Sequence, residues 1–320
     1  MKLATLDDGT PANRMSDGRL LVVSRDLTRC IEAGGTLQAA LDDWESVAPG
    51  LLALAGRLEM GEGELLDLAR LAAPLPRSYQ WLDGSAFANH GHLMQKAFNL
   101  PPIETDLPLM YQGMSHQFLA WHADARFPSA ADGIDFEGEF GVITDFVPMG
   151  TTPAEALGHI KLVLIINDWS LRVLAPVEMK TGFGWIQAKP ACALSPVAVT
   201  PDELGELWRD GRIASSMVAI LNGVGFGSVP PDEMAFGFHE LIAHAARTRD
   251  LCAGTIIGSG TVSSSHYAEV GSCCIAERRA IEMIGSGKPS TPFMQAGDRI
   301  VLQAKDAGLF GGIDQKVVVG

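Results

Sequence analysis

Two acidic residues stand two positions apart in the segment DFEGEFGV, residues 135–142. Alternate residues of a β-strand share a face, so a strand here would point Glu137 and Glu139 in the same direction. Like charges that are neighbours on one strand face repel each other. Two interpretations stay open. Either the pair lies on a solvent-exposed strand face that tolerates it, or both carboxylates coordinate one divalent cation, whose charge offsets their repulsion.

A further acid, Asp168, favours the metal site. It closely follows residues 162–166, a continuous apolar run that is typical of a buried strand. A carboxylate at the end of a core strand is costly unless it is paired or bound to a metal. Two cations stand near it in the sequence, Arg172 four residues later and Lys189 in an apolar segment next to a proline.

A second candidate group lies in the segment WLDGSAFANHGH, where Asp83 and His90 stand seven residues apart around a Gly-Ser turn. A single histidine is more often a structural hydrogen-bonding group than a catalyst. His90 and His92 also form an H-x-H pair, which is compatible with zinc. Oxygen donors dominate the other candidates, however, and favour a harder cation.

Composition narrows the class of protein. With 24 basic and 38 acidic residues, the net charge of −14 argues against a nucleic-acid-binding surface. The 320 residues, 47% of them hydrophobic, can bury a core and form about two domains. No apolar run reaches the roughly 18 residues of a membrane span, and the N-terminus lacks a signal-peptide pattern. The five cysteines lack a C-x-x-C pair, as is typical of thiols in a reducing compartment, so we expect a cytoplasmic protein.

Hydrophobic periodicity predicts the elements that position these residues. The segments TLQAALDDW and LLALAGRLE are amphipathic helices. Capping boxes predict helices that begin at Thr152 and at Thr200, and a further helix covers FHELIAHAART. The predicted strands are GEFGVITDF, KLVLIIND, SMVAILNGV, AGTIIGSGTVS and DRIVLQA. We expect a β-rich α/β (α+β) chain with a small N-terminal domain, residues 1–75, and a catalytic domain, residues 76–320.

In order and spacing, DxxxxxxH, FEGEFGV, INDWSLR, QAKP and GSGTVS resemble motifs of the fumarylacetoacetate hydrolase family. The resemblance covers about residues 80–280. It implies a mixed β-roll catalytic domain, a homodimer, and a divalent cation, either Mg²⁺, Mn²⁺ or Ca²⁺. The implied reaction is hydrolysis of a carbon–carbon bond in a small β-diketo acid or acylpyruvate.

The resemblance also implies roles for individual residues. Four carboxylates would hold the metal: Asp83, Glu137, Glu139 and Asp168. The catalytic group would comprise a base, its acidic partner and a cation: His90, Glu277 and Lys189. Three further residues would bind the substrate: Arg172, Tyr111 and Thr261.

The chain departs from the family's animal enzyme at three substrate-contact positions, which here are Ser85, Met114 and Ala175. We therefore expect a β-diketo acid other than fumarylacetoacetate, in the catabolism of aromatic compounds. Two alternatives remain open. One is a decarboxylase, hydratase or isomerase of the same fold that acts on a 2-oxo acid, and the other is a catalytically degenerate dimeric scaffold.

Overall fold

The computed structural model describes residues 1–10, 16–99, 101, 105–306 and 308–320. It shows a mixed, β-rich α+β fold, which confirms the predicted class. The strands in chain order are β1 (Lys2–Leu6), β2 (Arg19–Val23), β3 (Arg29–Glu32), β4 (Glu64–Leu65), β5 (Trp81–Gly84), β6 (Met110–Gln112), β7 (Ala125–Phe127), β8 (Ile134–Asp135), β9 (Gly138–Thr144), β10 (Ile160–Asn167), β11 (Ser170–Leu171), β12 (Ala193–Leu194), β13 (Ala198–Val199), β14 (Trp208–Arg209), β15 (Arg212–Ile213), β16 (Met217–Leu221), β17 (Val224–Val229), β18 (Ile256–Gly258), β19 (Arg299–Ala304) and β20 (Gly312–Val319).

The described residues contain fewer α-helices than strands. The helices are α1 (Leu37–Asp42), α2 (Trp44–Glu59), α3 (Ala88–Phe98), α4 (Pro153–His159), α5 (Ala175–Met179), α6 (Phe238–Ala245), α7 (Tyr267–Val270) and α8 (Ile275–Ser286). Short 3₁₀ helices cover Leu68–Arg70, Ala130–Asp132 and Pro201–Leu207. In the described part of the chain, no helix combines the length and the apolar character that crossing a membrane requires.

The larger sheet runs in the order β4-β3-β2-β1-β13-β10-β9-β18-β5-β6, and β12 also pairs with β10. Its strand pairs are antiparallel except for β18 and β5, which are parallel. The N-terminal strands join the sheet where β1 pairs with β13. The N-terminal strands therefore extend the sheet that contains the candidate acids, and the division into two domains near residue 75 stays a prediction.

The smaller sheet, in the order β17-β16-β19-β20-β7, packs on the larger one. Val142 of β9 and Val163 of β10 belong to the same buried cluster as Met217 of β16 and Leu302 of β19. The apolar run 162–166 is fully buried within β10. The core thus lies between the two sheets and fixes the central strands that carry the candidate acids.

The sequence predicts most of these elements correctly. All five predicted strand segments contain strands, and α4 begins with the predicted capping box of Thr152 and Glu155. The predicted helix over FHELIAHAART corresponds to α6. The predicted helix after Pro49 differs in its start, because α2 begins at Trp44 and continues through that proline. Leu51 and Leu58 of α2 are buried, and this packing compensates for the hydrogen bond that proline cannot donate.

The capping-box prediction at Thr200 is wrong. Residues 201–207 form a 3₁₀ helix that is interrupted at Gly205, where φ is +54°. The hydroxyl of Thr200 does not cap this helix, and instead accepts a hydrogen bond from the Met1 amine at 2.6 Å. A tertiary contact therefore replaces the local one that the sequence pattern predicts.

A glycine lets three strands of the larger sheet approach closely. Gly258 of β18 pairs with Asp83 of β5 on one side and with Gly141 of β9 on the other. A Cβ atom at this position would lie 2.4 Å from both Asp83 Oδ1 and Trp81 Cη2, and 3.0 Å from Glu139 Oε2. Glycine at this position therefore leaves the space that two carboxylates occupy.

We expect Gly258→Ala to destabilise the protein by about 1–3 kcal/mol, because the added methyl group overpacks this contact. Chemical denaturation would measure the change in the free energy of unfolding. Gly285→Ala is the matched control, since nothing lies within 4 Å of its added Cβ in α8. The control should leave stability unchanged or raise it by up to about 1 kcal/mol. Equal stability of the two variants would contradict the close approach.

Candidate active site

Three buried carboxylates meet at neighbouring strands of the larger sheet. Asp83 lies in β5, Glu139 lies in β9, and Asp168 directly follows β10. One oxygen of each carboxylate lies within 4.8 Å of an oxygen of the other two. Strand β18 separates β5 from β9, and Gly258 gives the first two carboxylates room to approach each other. We call Asp83, Glu139 and Asp168 the carboxylate triad.

The carboxylate triad has the properties of a cation site. Among the described residues, the only hydrogen-bond partner of the Glu139 carboxyl is the carboxyl group of Asp83, with which it can share a proton. Burial, together with the nearby carboxylate of Asp83, raises the pKa of Glu139 well above its ordinary value. Burial and the nearby Asp168 raise the pKa of Asp83 to about 8. Unsatisfied buried carboxylates are unfavourable, and a hard divalent cation supplies the charge and coordination that they lack. The triad therefore fits such a cation.

Lys189 provides a positive charge beside the carboxylate triad. Its Nζ donates to Asp168 Oδ2 at 2.5 Å and to Glu137 Oε1 at 2.8 Å. Although burial opposes the charged form, these two carboxylates hold the pKa of Lys189 above its ordinary value. Asp168 also accepts hydrogen bonds from Tyr111 Oη at 2.6 Å and from Cys192 Sγ at 3.0 Å. The ammonium group therefore stays charged and holds Asp168 in place.

Glu137 lies apart from the carboxylate triad. Its Oε1 accepts hydrogen bonds from Ser170 at 2.5 Å, and from Arg172 and Lys189 at 2.8 Å each. Its Oε2 accepts a hydrogen bond from Thr261. Burial opposes ionisation, but the cations of Arg172 and Lys189 hold the pKa of Glu137 below its ordinary range. Glu137 is therefore an ionised, fully bonded carboxylate, and its role as a metal ligand stays a prediction.

Arg172 connects Glu137 to the start of α8. Its Nε donates to Asp135 Oδ2 at 2.8 Å, and its Nη2 donates to Glu137 Oε1 at 2.8 Å. Asp135 also accepts hydrogen bonds from the backbone N–H groups of Ile275 and Ala276. Because two of its donors are bound to carboxylates, Arg172 has a clear role in holding the site together. Its role in binding substrate stays a prediction.

His90 forms a second group of potential ligands and proton acceptors. It lies on α3, which packs against α8, where Glu277 lies in the first turn. A ring nitrogen of His90, the Sγ atom of Cys274 and a carboxylate oxygen of Glu277 all lie within 4.8 Å of one another. His92 is exposed and lies outside this group. We call His90, Cys274 and Glu277 the histidine group.

Burial shifts the pKa values of the two predicted catalytic residues in this group. It lowers the pKa of His90 to about 4, so the imidazole is neutral at neutral pH. It raises the pKa of Glu277 to about 7, although Ser263 donates a hydrogen bond to this carboxylate. His90 Nδ1 is buried and has no hydrogen-bond partner among the described residues. A neutral histidine with a carboxyl group nearby can accept a proton.

Most of the predicted site residues share one cavity of about 160 Å³. The predicted residues that line it are Asp83, His90, Tyr111, Glu137, Arg172, Lys189 and Thr261. The other three, Glu139, Asp168 and Glu277, are buried beside them. The structure thus brings together all ten residues, although their roles stay predictions.

Some contacts of the candidate site are not predicted from the sequence. Ser170 lies inside the quoted INDWSLR motif, so its bond to Glu137 could have been anticipated. Trp185 packs edge-on against Tyr111 with 6.2 Å between ring centroids, and no local pattern points to it. Cys274 is another residue to which no sequence pattern points. It is buried, but it also belongs to the histidine group, and its distance from His90 in the sequence conceals this.

Two family models together cover nearly the whole chain. The model described as fumarylacetoacetate (FAA) hydrolase C-terminal matches residues 80–318. The model described as fumarylacetoacetase N-terminal domain 2 matches residues 1–77. Among curated proteins, none matches the chain.

Several solved structures share the fold over the full chain. A putative HpcE protein from Mycobacterium smegmatis has a TM-score of 0.69 at 18% identity, with 100% of both chains covered. A probable 2-hydroxyhepta-2,4-diene-1,7-dioate isomerase from Mycobacterium abscessus has a TM-score of 0.66 at 18% identity, with 100% of this chain and 99% of that one covered. A maleylpyruvate hydrolase from Sphingobium sp. SYK-6, in complex with manganese (II) ion and pyruvate, has a TM-score of 0.67 at 15% identity, with 100% of both covered. At these identities the likeness concerns the fold, and the two family models decide the assignment: the chain belongs to the fumarylacetoacetate hydrolase family.

Proposed function

We propose that this protein is a divalent-cation-dependent hydrolase that cleaves a carbon–carbon bond in a β-diketo acid or acylpyruvate. The observation that carries the proposal is the shared cavity, which is lined by the neutral His90, by Asp83 of the carboxylate triad and by the charged Lys189. Hydrolysis of such a bond needs a base for water, a cation site and a positive charge for the developing oxyanion. The cavity offers a residue for each task.

The carboxylate triad would hold the cation, with Glu137 as a further ligand. The donor set consists of carboxylate oxygens, which suit Mg²⁺, Mn²⁺ or Ca²⁺. When bound, such a cation acts as a Lewis acid towards the two oxygens of a 1,3-dicarbonyl group. The Glu139 carboxyl supports this assignment, because no described residue outside the carboxylate triad bonds to its oxygens.

The histidine would activate water. His90 would accept a proton from a water molecule in the cavity, and Glu277 would orient the imidazole and balance the charge of the imidazolium. Lys189 would stabilise the negative oxygen that forms on the attacked carbonyl. The ring nitrogen of His90 and the carboxylate of Glu277 lie within 4.8 Å of each other, which supports their pairing.

The substrate would be small. The cavity of about 160 Å³ is below the range of about 300–1,000 Å³ that is usual for drug-sized ligands. Arg172, Tyr111 and Thr261 would contact the substrate from the cavity wall, and Arg172 would use donors that Asp135 and Glu137 leave unused. These features favour a short acylpyruvate from aromatic catabolism over a bulky diketo acid.

Two further parts of the proposal rest on the sequence. One is a cytoplasmic homodimer, in which the cysteine pattern supports the location and the family resemblance supports the homodimer. The other is a division into an N-terminal accessory domain, residues 1–75, and a catalytic domain, residues 76–320. The matches of the two family models to residues 1–77 and 80–318 support the division.

The reaction itself is tested with a panel of acylpyruvates and related diketo acids, followed by the ultraviolet absorbance of the enol. We expect loss of the band with Mg²⁺ or Mn²⁺, formation of two acid products, and no loss after EDTA. Release of CO₂ would instead indicate a decarboxylase. A rearranged 2-oxo acid without cleavage would indicate an isomerase. No reaction despite bound cation would favour a degenerate scaffold.

Replacement of His90 by asparagine should lower kcat by a factor on the order of 10²–10⁴, because the base that activates water is lost. Steady-state kinetics on the best substrate would measure the loss, and the melting temperature with Mn²⁺ should stay the same. The control is His92→Asn, an exposed residue of the same helix, which should keep full activity. Full activity of the His90 variant would exclude this residue as the base.

The stability of the cation-free protein should fall as the pH rises from about 6.5 to 8. The pKa values of Asp83 and Glu277, about 8 and about 7, lie above the ordinary carboxyl range, so the folded state binds their protons more tightly than the unfolded state does. Their stabilising contribution is lost as the pH rises through these values. Burial lowers the pKa of His90, so protonation of this residue favours the unfolded state. This effect acts only below the ordinary histidine pKa of 6.5, outside this window.

Melting temperatures recorded in EDTA across this window measure the effect. Saturating Mn²⁺ should raise the melting temperature at each pH by mass action and should flatten the dependence, because the cation stabilises the ionised triad. Asp83→Asn should weaken the pH dependence without any cation, and Glu277 should account for the part that remains. A melting temperature that is independent of pH in EDTA would contradict the electrostatic account of the triad.

A further inference from the structure

We propose that His90, Cys274 and Glu277 form a Zn²⁺ site that is distinct from the carboxylate triad. The ligand atoms of these residues, a ring nitrogen, a thiol sulfur and a carboxylate oxygen, lie within 4.8 Å of one another. Cys274 and Glu277 are buried and His90 is partly buried. None of the three belongs to the oxygen-only triad.

The chemistry of the donors selects zinc. Thiolate, imidazole and carboxylate groups are the usual zinc ligands, whereas Mg²⁺ and Ca²⁺ bind oxygen donors. The two groups of ligands therefore differ in the ions that they prefer. A hard cation would favour the carboxylate triad, and a thiophilic ion would favour the histidine group.

The geometry is close to that of a zinc site with three protein ligands. In a tetrahedral zinc site, neighbouring ligand atoms are about 3.5 Å apart, given usual Zn–N and Zn–S bond lengths. Atoms within 4.8 Å of one another need to approach by little more than about 1 Å. A fourth position would remain for water, as in zinc sites that are open to a cavity.

Each ligand is available or already oriented. His90 Nδ1 is buried without a hydrogen-bond partner among the described residues. Ser263 donates to Glu277, the kind of outer contact that orients a ligating carboxylate. Cys274 is the N-cap residue of the twelve-residue helix α8, and its Sγ accepts a hydrogen bond from the Glu277 N–H at 3.3 Å. Burial, together with the nearby carboxylate of Asp135, raises the pKa of the Cys274 thiol well above its ordinary value, so Zn²⁺ binding would release the thiol proton to solvent.

Zinc at this site would inhibit the reaction, a consequence that rests on the proposed function. A metal-bound imidazole has no lone pair with which to accept a proton from water, and a Glu277 that binds zinc no longer orients the imidazole. Inhibition by Zn²⁺ should therefore persist when the triad is saturated with Mg²⁺. The same protein would be activated by one divalent ion and blocked by another.

Cobalt(II) tests the site without any need for activity, because thiolate ligation gives Co²⁺ a charge-transfer band in the near ultraviolet. Wild-type protein saturated with Mg²⁺ is titrated with Co²⁺, and the band should appear and disappear again on addition of Zn²⁺. Cys274→Ser should lose the band, while its hydroxyl can still cap α8. Cys273→Ser and Cys192→Ser are matched controls, and both should keep the band. Cys273 lies outside the group, and Cys192 contacts Asp168 of the triad.

The affinity for Zn²⁺, measured by competition with a chromophoric chelator, should fall at least about 10–100-fold in Cys274→Ser. The Zn²⁺ concentration for half-inhibition in excess Mg²⁺ should rise by a similar factor. Absence of the band in the wild type, or its persistence in Cys274→Ser, would overturn the proposal. If no substrate of the panel reacts, the cobalt band still decides the zinc site, so the two proposals fail separately.

Discussion

The repulsion among buried carboxylates is the constraint on which the site depends. Asp83, Glu139 and Asp168 approach within 4.8 Å, and each loses most of the hydration that would stabilise its charge. Lys189 offsets part of the repulsion through Asp168, yet no described residue outside the carboxylate triad bonds to the oxygens of Glu139. The fold therefore brings together acidic groups whose ionised forms the described residues do not fully neutralise. That imbalance is the physical basis for a cation-binding function.

Strand order converts this constraint into a defined geometry. The acids come from strands that are far apart in the sequence, and Gly258 between them has no side chain to separate them. Arg172 then joins Glu137 to Asp135, whose other contacts are the first N–H groups of α8. Lys189 in turn joins Glu137 to Asp168, so two cations connect the carboxylate triad to the start of the helix that carries Cys274 and Glu277.

The sequence predicts those parts that local patterns determine. The apolar run before Asp168 identifies a buried strand, as the structure shows. Thr200 shows the limit, since its capping pattern is overridden by a contact with Met1 from the far end of the chain. Likewise, the family resemblance implies that His90 and Glu277 form a pair, but no sequence pattern connects His90 with Cys274. That contact depends on the packing of α3 against α8.

The pairing of β1 with β13 has a consequence for the integrity of the molecule. Strand β13 contains only Ala198 and Val199, and it lies between β1 and β10. Without the N-terminal strands, the side of β13 that faces β1 would expose unpaired backbone groups. This edge would lie close to the site, because β13 pairs on its other side with β10, the strand that leads to Asp168. Exposed sheet edges are templates for pairing with other chains. The N-terminal strands therefore cover an edge of the sheet that would otherwise be open to pairing with another chain.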